Sequence, residues 1–404
     1  MRLRLGIFVA AAVLAAAGVV AVIARHHDHT RPRPSALPAG REPGTSTTAL
    51  TTTTTGESTS TSGTSGRTQP TSVRTTVTRA GTSATAGRST PPPAIAAGNG
   101  PRPVPAPIYG VTVDDVSNIS DVVAAAAAFG RFPTTRVVLD YGGTSNTEYA
   151  DAVRQLAPHS YVMAELLDSS DMPQAEDDPS AEHSRVAGYL SDLGRYTDIW
   201  EVGNEVNGDW TCASNPCDGA GYKAGADMTV ATYQQVAAAG YPAALTLYYN
   251  PGCPSSPGEP DPVAYTNNFL TSPSAMQMRS GLRYVLLSYY ETQCANQRPS
   301  ASAFAGYLQQ LHSLYPNAQV GFGEVGLPQQ ISDCGPMNSR GGGCYDAQHY
   351  PSATAQAESI IRYYCGLNPG LGYYVGGCFW WYYDEDALPY QGNVIWQTIN
   401  AVFG

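Results

Sequence analysis

The sequence predicts a (β/α)8 barrel, the TIM-barrel fold, over residues 101–404. Three observations carry this. From Pro107 onward, short β-rich runs alternate with longer helical stretches. The alternation runs to eight strand–helix units in about 300 residues, the length such a barrel needs. Several strand runs are near-continuously apolar, as a parallel strand covered on both faces must be. An open doubly wound sheet is the competing architecture. It lacks support at the first strand, which opens into Thr112-Val-Asp-Asp115 where a dinucleotide fold would carry a glycine-rich phosphate turn.

The first strand, 108–113, is β-branched at Ile108, Val111, Thr112 and Val113, and an alanine-rich helix, 120–129, follows it. Strand two, 136–141, carries Val137, Val138 and Leu139 ahead of a helix at 147–156. Strand three, 161–166, leads to helix 181–196, and the short strand four, 199–202, leads to helix 224–239. Strands five, 245–249, and six, 284–289, are apolar and rich in tyrosine. Helix 301–314 separates the sixth from the seventh, 319–322. Helix 353–364 leads to an aromatic eighth strand, 373–381, and helix 394–402 closes the series.

Charge is divided unevenly. Residues 1–100 hold ten Arg and three acids, whereas residues 101–404 hold twelve basic and thirty acidic side chains. An acidic body argues against nucleic acid and polyanionic polysaccharide as partners, and suits a neutral or cationic substrate. Arg2 and Arg4 precede an apolar run, 5–24, long enough to span a bilayer as a helix. The same pattern reads as a long signal peptide with Val22-Ile-Ala24 before the cleavage point. Residues 1–24 are therefore expected to act as signal peptide or signal anchor, exporting the chain or tethering it to a membrane through 5–24. From Thr45 to Thr90, 27 of 46 residues are Ser or Thr, and Pro91-Pro-Pro93 closes the stretch. Such a segment cannot bury apolar surface. Residues 25–100 read as a disordered linker or a glycosylated stalk, without catalysis.

All eight cysteines lie between Cys212 and Cys378. An even count in an exported chain implies disulfides, though eight cysteines allow 105 pairings. Cys212/Cys217, Cys334/Cys344 and Cys365/Cys378 are close in sequence and read as local loop staples, which leaves Cys253/Cys294. Metal binding is the rival reading. No Cys-x-x-Cys pair occurs and the seven histidines are scattered, so neither metal nor cofactor is expected.

Two carboxylates bear on chemistry. Glu205 lies in Trp200-Glu-Val-Gly-Asn-Glu-Val-Asn207, and Glu324 in Gly321-Phe-Gly-Glu-Val-Gly-Leu-Pro328. Each follows a short apolar run that reads as a strand ending. In a barrel all strand ends open on one mouth, so residues from strands four and seven can face each other across it. Two such carboxylates are what glycoside hydrolysis needs: an acid for the leaving oxygen, and a nucleophile or base behind the sugar. A spacing of about 5–5.5 Å would imply a retaining mechanism, and about 6.5–9.5 Å an inverting one. A negative Glu324 would also raise the pKa of Glu205, as an acid catalyst needs.

The Trp-Glu-Val-Gly-Asn-Glu run, the Glu at strand seven and the aromatic eighth strand together resemble clan A of the retaining glycoside hydrolases. Gly203 and Val206 stand where many clan families carry a larger residue and Pro, so the resemblance stops at the clan. It implies Glu205 as acid/base, Glu324 as nucleophile and Asn204 as a hydrogen-bond partner of the sugar 2-hydroxyl. It further implies a strand-two Arg, Arg136, which could hold Glu324 ionised or instead pair with Glu201. A tyrosine ending strand six should donate to the nucleophile, with Tyr289 preferred over Tyr290. One of Trp380 and Trp381 should lie under the sugar, while the other packs in the core because neighbours in a strand point opposite ways. Asp114 at the end of strand one is a further candidate for hydroxyl binding. The acidic run Asp384-Glu-Asp386 could bind hydroxyls at the rim or simply be solvated.

The expected protein is thus an exported, monomeric, retaining hydrolase of a neutral polysaccharide or oligosaccharide, endo-acting, working at the cell surface or outside the cell. A non-catalytic carbohydrate-binding surface protein on the same scaffold is the alternative, and an adhesive module with structural glutamates a third.

Overall fold

The computed structural model describes residues 100–142, 144–214, 216–337 and 343–404. The expected apolar segment, 1–24, and the stalk lie outside the described residues, apart from Gly100. No described helix is long and apolar enough to cross a membrane.

Eight parallel strands close into a barrel in sequence order. They are β1 (Ile108–Val113), β2 (Thr134–Val138), β3 (Tyr161–Glu165), β4 (Ile199–Glu201), β5 (Ala243–Tyr248), β6 (Tyr284–Tyr289), β7 (Gln319–Val325) and β8 (Gly376–Trp380). Around them run α1 (Ile119–Ala128), α2 (Asn146–Leu156), α3 (Met172–Asp177), α4 (Pro179–Leu193), α5 (Gly219–Ala238) and α6 (Pro262–Phe269). The series continues with α7 (Pro273–Gly281), α8 (Ala301–Leu314), α9 (Ala353–Tyr364), α10 (Tyr383–Ala387) and α11 (Val394–Phe403). Every expected strand and helix is present, with shifted ends. Four helices were not expected: α3, α6, α7 and α10. Pro173, Pro262 and Pro273 stand in the first turns of three of them. Proline reads as loop punctuation, yet it fits a first helical turn, where its missing N–H would have no partner. Ser and Asp side chains start many of the helices: Ser145 forms a reciprocal capping box with Glu148, and Asp218, Ser300 and Ser352 cap α5, α8 and α9.

Period-two alternation explains what fills the barrel. Ile108, Met163, Ile199, Ala244, Tyr284 and Leu286 cluster together as its apolar floor. Two residues further along five of the same strands stand Glu165, Glu201, Thr246, Ser288 and the small Gly110, so the next layer towards the mouth is polar. A separate, larger apolar cluster lies between sheet and helices and includes Val111, Val137, Val162, Trp200, Leu245, Val285, Val320 and Trp380.

All four expected disulfides are present: Cys212–Cys217, Cys253–Cys294, Cys334–Cys344 and Cys365–Cys378. The first closes the loop after β4. The second joins the loops after β5 and β6. The third closes the loop after β7.

Candidate active site

Arg136 organises the polar layer. It is fully buried on β2, and its guanidinium meets three fully buried carboxylates. Nε lies 2.7 Å from Glu201 Oε2 on β4, Nη2 2.8 Å from Glu165 Oε2 on β3, and Nη1 2.9 Å from Glu324 Oε2 on β7. The two partners weighed for Arg136 are therefore both present, with a third. Burial alone would depress the Arg136 pKa, but the fields of Glu165, Glu201 and Glu324 overcome it and hold the group charged. One cation cannot balance three anions in a dry interior. Burial accordingly pushes Glu165 well above the usual carboxylate range against the pull of Arg136. Burial also raises Glu201, opposed chiefly by Arg136, whose Nε lies 2.7 Å away.

Glu324 receives a second donor. The Tyr290 hydroxyl donates to its Oε1 at 2.5 Å, so each oxygen has its own partner. This corrects the preference for Tyr289. The Tyr289 hydroxyl points away and donates to the Gln297 carbonyl at 2.5 Å, and its ring packs edge-on against Tyr249, Phe304 and Tyr364. Period-two alternation puts Tyr290 on the side of Ser288, and hence on the barrel side.

The strand that carries Glu324 is locally deformed. In the β6–β7 pairing Leu287 faces Phe322, but Ser288 faces Glu324, so Gly323 is an extra residue. Such a bulge re-aims the side chain after it. Only glycine fits there: a Cβ would stand 2.5 Å from Thr246 Oγ1 and 2.9 Å from Leu286 Cβ.

Glu205 does not end β4, as its apolar lead-in implied. The strand stops at Glu201, and Glu205 sits in the turn beyond it with φ +47°, a left-handed conformation rare for a residue with a side chain. Holding it there costs about 1–3 kcal/mol, a strain that clusters at functional sites. Its carboxyl is fully buried. Ser288 donates to Oε1 through a short hydrogen bond, and Ser169, after β3, donates to Oε2 at 3.3 Å. Ser288 thus joins the two carboxylates: it is the register partner of Glu324 and a ligand of Glu205. Sequence reading missed Ser288 and Ser169. The position of Ser288 two residues before Tyr290 was the available signal.

Asn204 is fully buried, and neither its Nδ2 nor its Oδ1 has a hydrogen-bond partner among the described residues. An amide left in that state is costly unless something else meets it. The tryptophans divide as expected of strand neighbours. Trp381 is half-buried, with the Arg136 guanidinium 5.4 Å from its ring centroid. Trp380 is fully buried and gives its indole N–H to Asp386 Oδ2 at 2.9 Å. This corrects Trp380 as a substrate contact: it is a core residue. Asp386 is likewise no solvated rim acid. Burial pushes it up to about 6, opposed by hydrogen bonds from the Ile331 N–H and Trp380.

Asp114 lies at the rim between β1 and β8, apart from the Arg136 layer. Asp114, Asp384 and Glu385 each offer a carboxylate oxygen, all within 4.8 Å of one another. Burial, and then repulsion from Asp114 and Glu385, raise Asp384 well above the ordinary carboxylate range. It could hold a hard cation, but acidic groups of this kind are common without one. A cavity of about 800 Å³ opens between the loops after β6 and β7, lined among others by Asn296, Met337, Asp346 and His349. It does not include Glu205 or Glu324.

No protein-family model and no curated protein matches the chain. Solved structures similar to it include a β-mannanase from Thermomonospora fusca, 15% identical over 74% of this chain and 93% of that one, with a TM-score of 0.37. Others are the catalytic domain of a mannanase from Streptomyces sp. SirexAA-E (17%, 76% and 85%, TM-score 0.38) and a modular endo-β-1,4-mannanase from Cellulomonas fimi (12%, 76% and 71%, TM-score 0.45). At these identities and TM-scores the likenesses carry no argument about activity. The (β/α)8 architecture rests on the closed parallel barrel itself.

Proposed function

We propose that the chain is an exported retaining glycoside hydrolase of clan A, cleaving O-glycosidic bonds of a neutral polysaccharide or oligosaccharide with Glu324 as nucleophile and Glu205 as acid/base. The observation that carries the reading is the common setting of the two carboxylates. Ser288 touches Glu205 and is the strand partner of Glu324, while Arg136 and Tyr290 hold Glu324 one oxygen each.

The Glu324 carboxylate attacks the anomeric carbon and forms a glycosyl ester. The bond to the leaving oxygen breaks with its electron pair, and that oxygen takes the proton of Glu205. A water then gives a proton to Glu205 and attacks the same carbon, which releases Glu324 and a hemiacetal of retained configuration. Asn204, buried with both amide atoms open, suits a sugar hydroxyl. The half-buried Trp381 ring beside Arg136 suits the apolar face of the transferred sugar. The four disulfides fit an oxidising setting outside the cytoplasm.

The test is sugar release from a panel of neutral plant, fungal and bacterial-envelope polysaccharides. Glu324→Gln should lower turnover by orders of magnitude. Glu205→Ala should retain more activity on a 2,4-dinitrophenyl glycoside than on polysaccharide, because dinitrophenolate leaves without a proton. Undiminished turnover in Glu324→Gln sinks the assignment, and an inverted product anomer by NMR sinks double displacement. Glycan binding with no turnover on any polymer would instead mark a carbohydrate-binding protein.

A further inference from the structure

The eighth strand is deformed just before it delivers Trp381. Gly110 on β1 faces Cys378, but Val111 faces Trp380, so Phe379 is an extra residue on β8. The other flank agrees. Val320 pairs with Tyr374 and Val325 with Trp380, which is five steps along β7 against six along β8. An extra residue of this kind is a bulge. The backbone is left-handed throughout it: φ is +76° at Gly376, +112° at Gly377, +100° at Cys378 and +46° at Phe379. Glycine adopts such angles freely, but for Cys378 and Phe379 they are costly and persist only where the surroundings enforce them.

Two contacts enforce them. Inside the barrel, the fully buried Phe379 ring fills a notch at Gly110, where a Cβ would stand 2.6–2.7 Å from three of its ring carbons. Outside, in the layer between sheet and helices, Cys378 is bonded to Cys365 at the C-terminal cap of α9. The other three disulfides close or join loops that follow strands, whereas this one ties a barrel strand to a helix. Beyond the bulge, the Trp381 N–H donates to the carbonyl of Val325, the residue after Glu324, at 3.0 Å. Trp380 lies out in the helix layer and Trp381 in beside Arg136. Side chains alternate along a strand, so a slip of one residue exchanges its two faces. Without room for Phe379, β8 would present Trp380 to the mouth and turn Trp381 away from it. Resting on the reading above, in which Trp381 lies under the transferred sugar, we infer that Phe379 and the Cys365–Cys378 disulfide are positioning residues for the reaction. The clasp outside and the ring inside hold the bulge, and the bulge sets which tryptophan faces Glu324. The bond therefore serves sugar binding and not the fold alone.

The experiment uses the full chain and a hexasaccharide of the polymer that the wild type cleaves. Cys365→Ala with Cys378→Ala removes the clasp, and Phe379→Leu loosens the notch with the disulfide intact. Each should lower kcat/KM about tenfold at a temperature where melting shows the variant folded, the size of a coupling between residues in contact. In a Trp381→Ala background neither change should cost more than about twofold, because the ring through which they act is already gone. The emission of Trp381, taken as the difference between each protein and its Trp381→Phe counterpart, should shift to the red and quench more with acrylamide in both variants. A clasp that only stabilises the fold would lower the melting temperature and leave kcat/KM and quenching of the folded protein unchanged. That result, or losses that multiply in full in the Trp381→Ala background, overturns the inference. If the wild type turns over no polymer, the hydrolase reading falls, and the emission of Trp381 by itself decides whether the clasp sets its place.

Discussion

Arg136→Met is the substitution that most directly probes the polar layer. It keeps an unbranched side chain of similar length but removes the cation from Glu165, Glu201 and Glu324, all fully buried. Deleting one partner of a buried ion pair costs about 3–5 kcal/mol, because the other charge is left in a dry interior. A domain of this size loses roughly 2 °C of melting temperature per kcal/mol, so the fall should be roughly 6–10 °C at neutral pH. The sign of its pH dependence follows from the carboxyls. A group whose folded pKa is raised, as burial raises Glu165 and Glu201, stabilises fully below its unfolded value and loses that contribution as pH rises towards the folded one. Without Arg136 the pull that opposes burial at Glu165 and Glu201 is gone, and both are raised further. The deficit against wild type should therefore be small near pH 4 and widen towards pH 8. Glu165→Gln in the Arg136→Met background should recover part of it, since it removes one trapped charge without changing shape. Calorimetric melting at pH 4, 6 and 8 measures this. A deficit that does not vary with pH, or a melting temperature unchanged at pH 8, would refute the account of one cation offsetting three buried acids.

Tyr290→Phe should lower kcat by roughly 10–150-fold, the worth of a hydrogen bond to a charged group, while Tyr289→Phe should not reproduce that loss; steady-state kinetics of the pair decides between them. Gly323→Ala should cut activity sharply and lower the melting temperature, because its Cβ would be forced to within 2.5 Å of Thr246 Oγ1 and would displace Glu324; Thr246→Ser is the control, and full activity in Gly323→Ala would show that the bulge does not aim Glu324. The Asp386 carboxyl, raised to about 6 by burial, accepts from the Trp380 indole. Tryptophan emission should titrate with a midpoint near 6 and lose that component in Asp386→Asn, and its contribution to stability should be lost as pH rises through 6; a flat titration would contradict the buried contact.

The barrel was legible because its signal is local. Parallel strands covered on both sides must be apolar throughout, helices must repeat near 3.6, and eight alternations in this length leave little choice of architecture. The disulfides were legible for a related reason, since three of the four close loops short enough to be read from spacing. Glu205 and Glu324 stood out because carboxylates after apolar strands are costly without a use. Other features depended on directions in space. Tyr289 and Tyr290 are equivalent in a sequence window, and so are Trp380 and Trp381; only the pleat of the closed barrel sends Tyr290 and Trp381 towards Glu324 and Arg136. The bulge at Gly323 arises from pairing between strands. Arg136 gathers acids from β3, β4 and β7, positions 29, 65 and 188 residues away, and no local pattern encodes that meeting. Composition and periodicity determined that there would be a barrel with two carboxylates at its mouth. Closure of the sheet alone decided which hydroxyls and rings serve each of them, because the partners come from strands that are neighbours only in space.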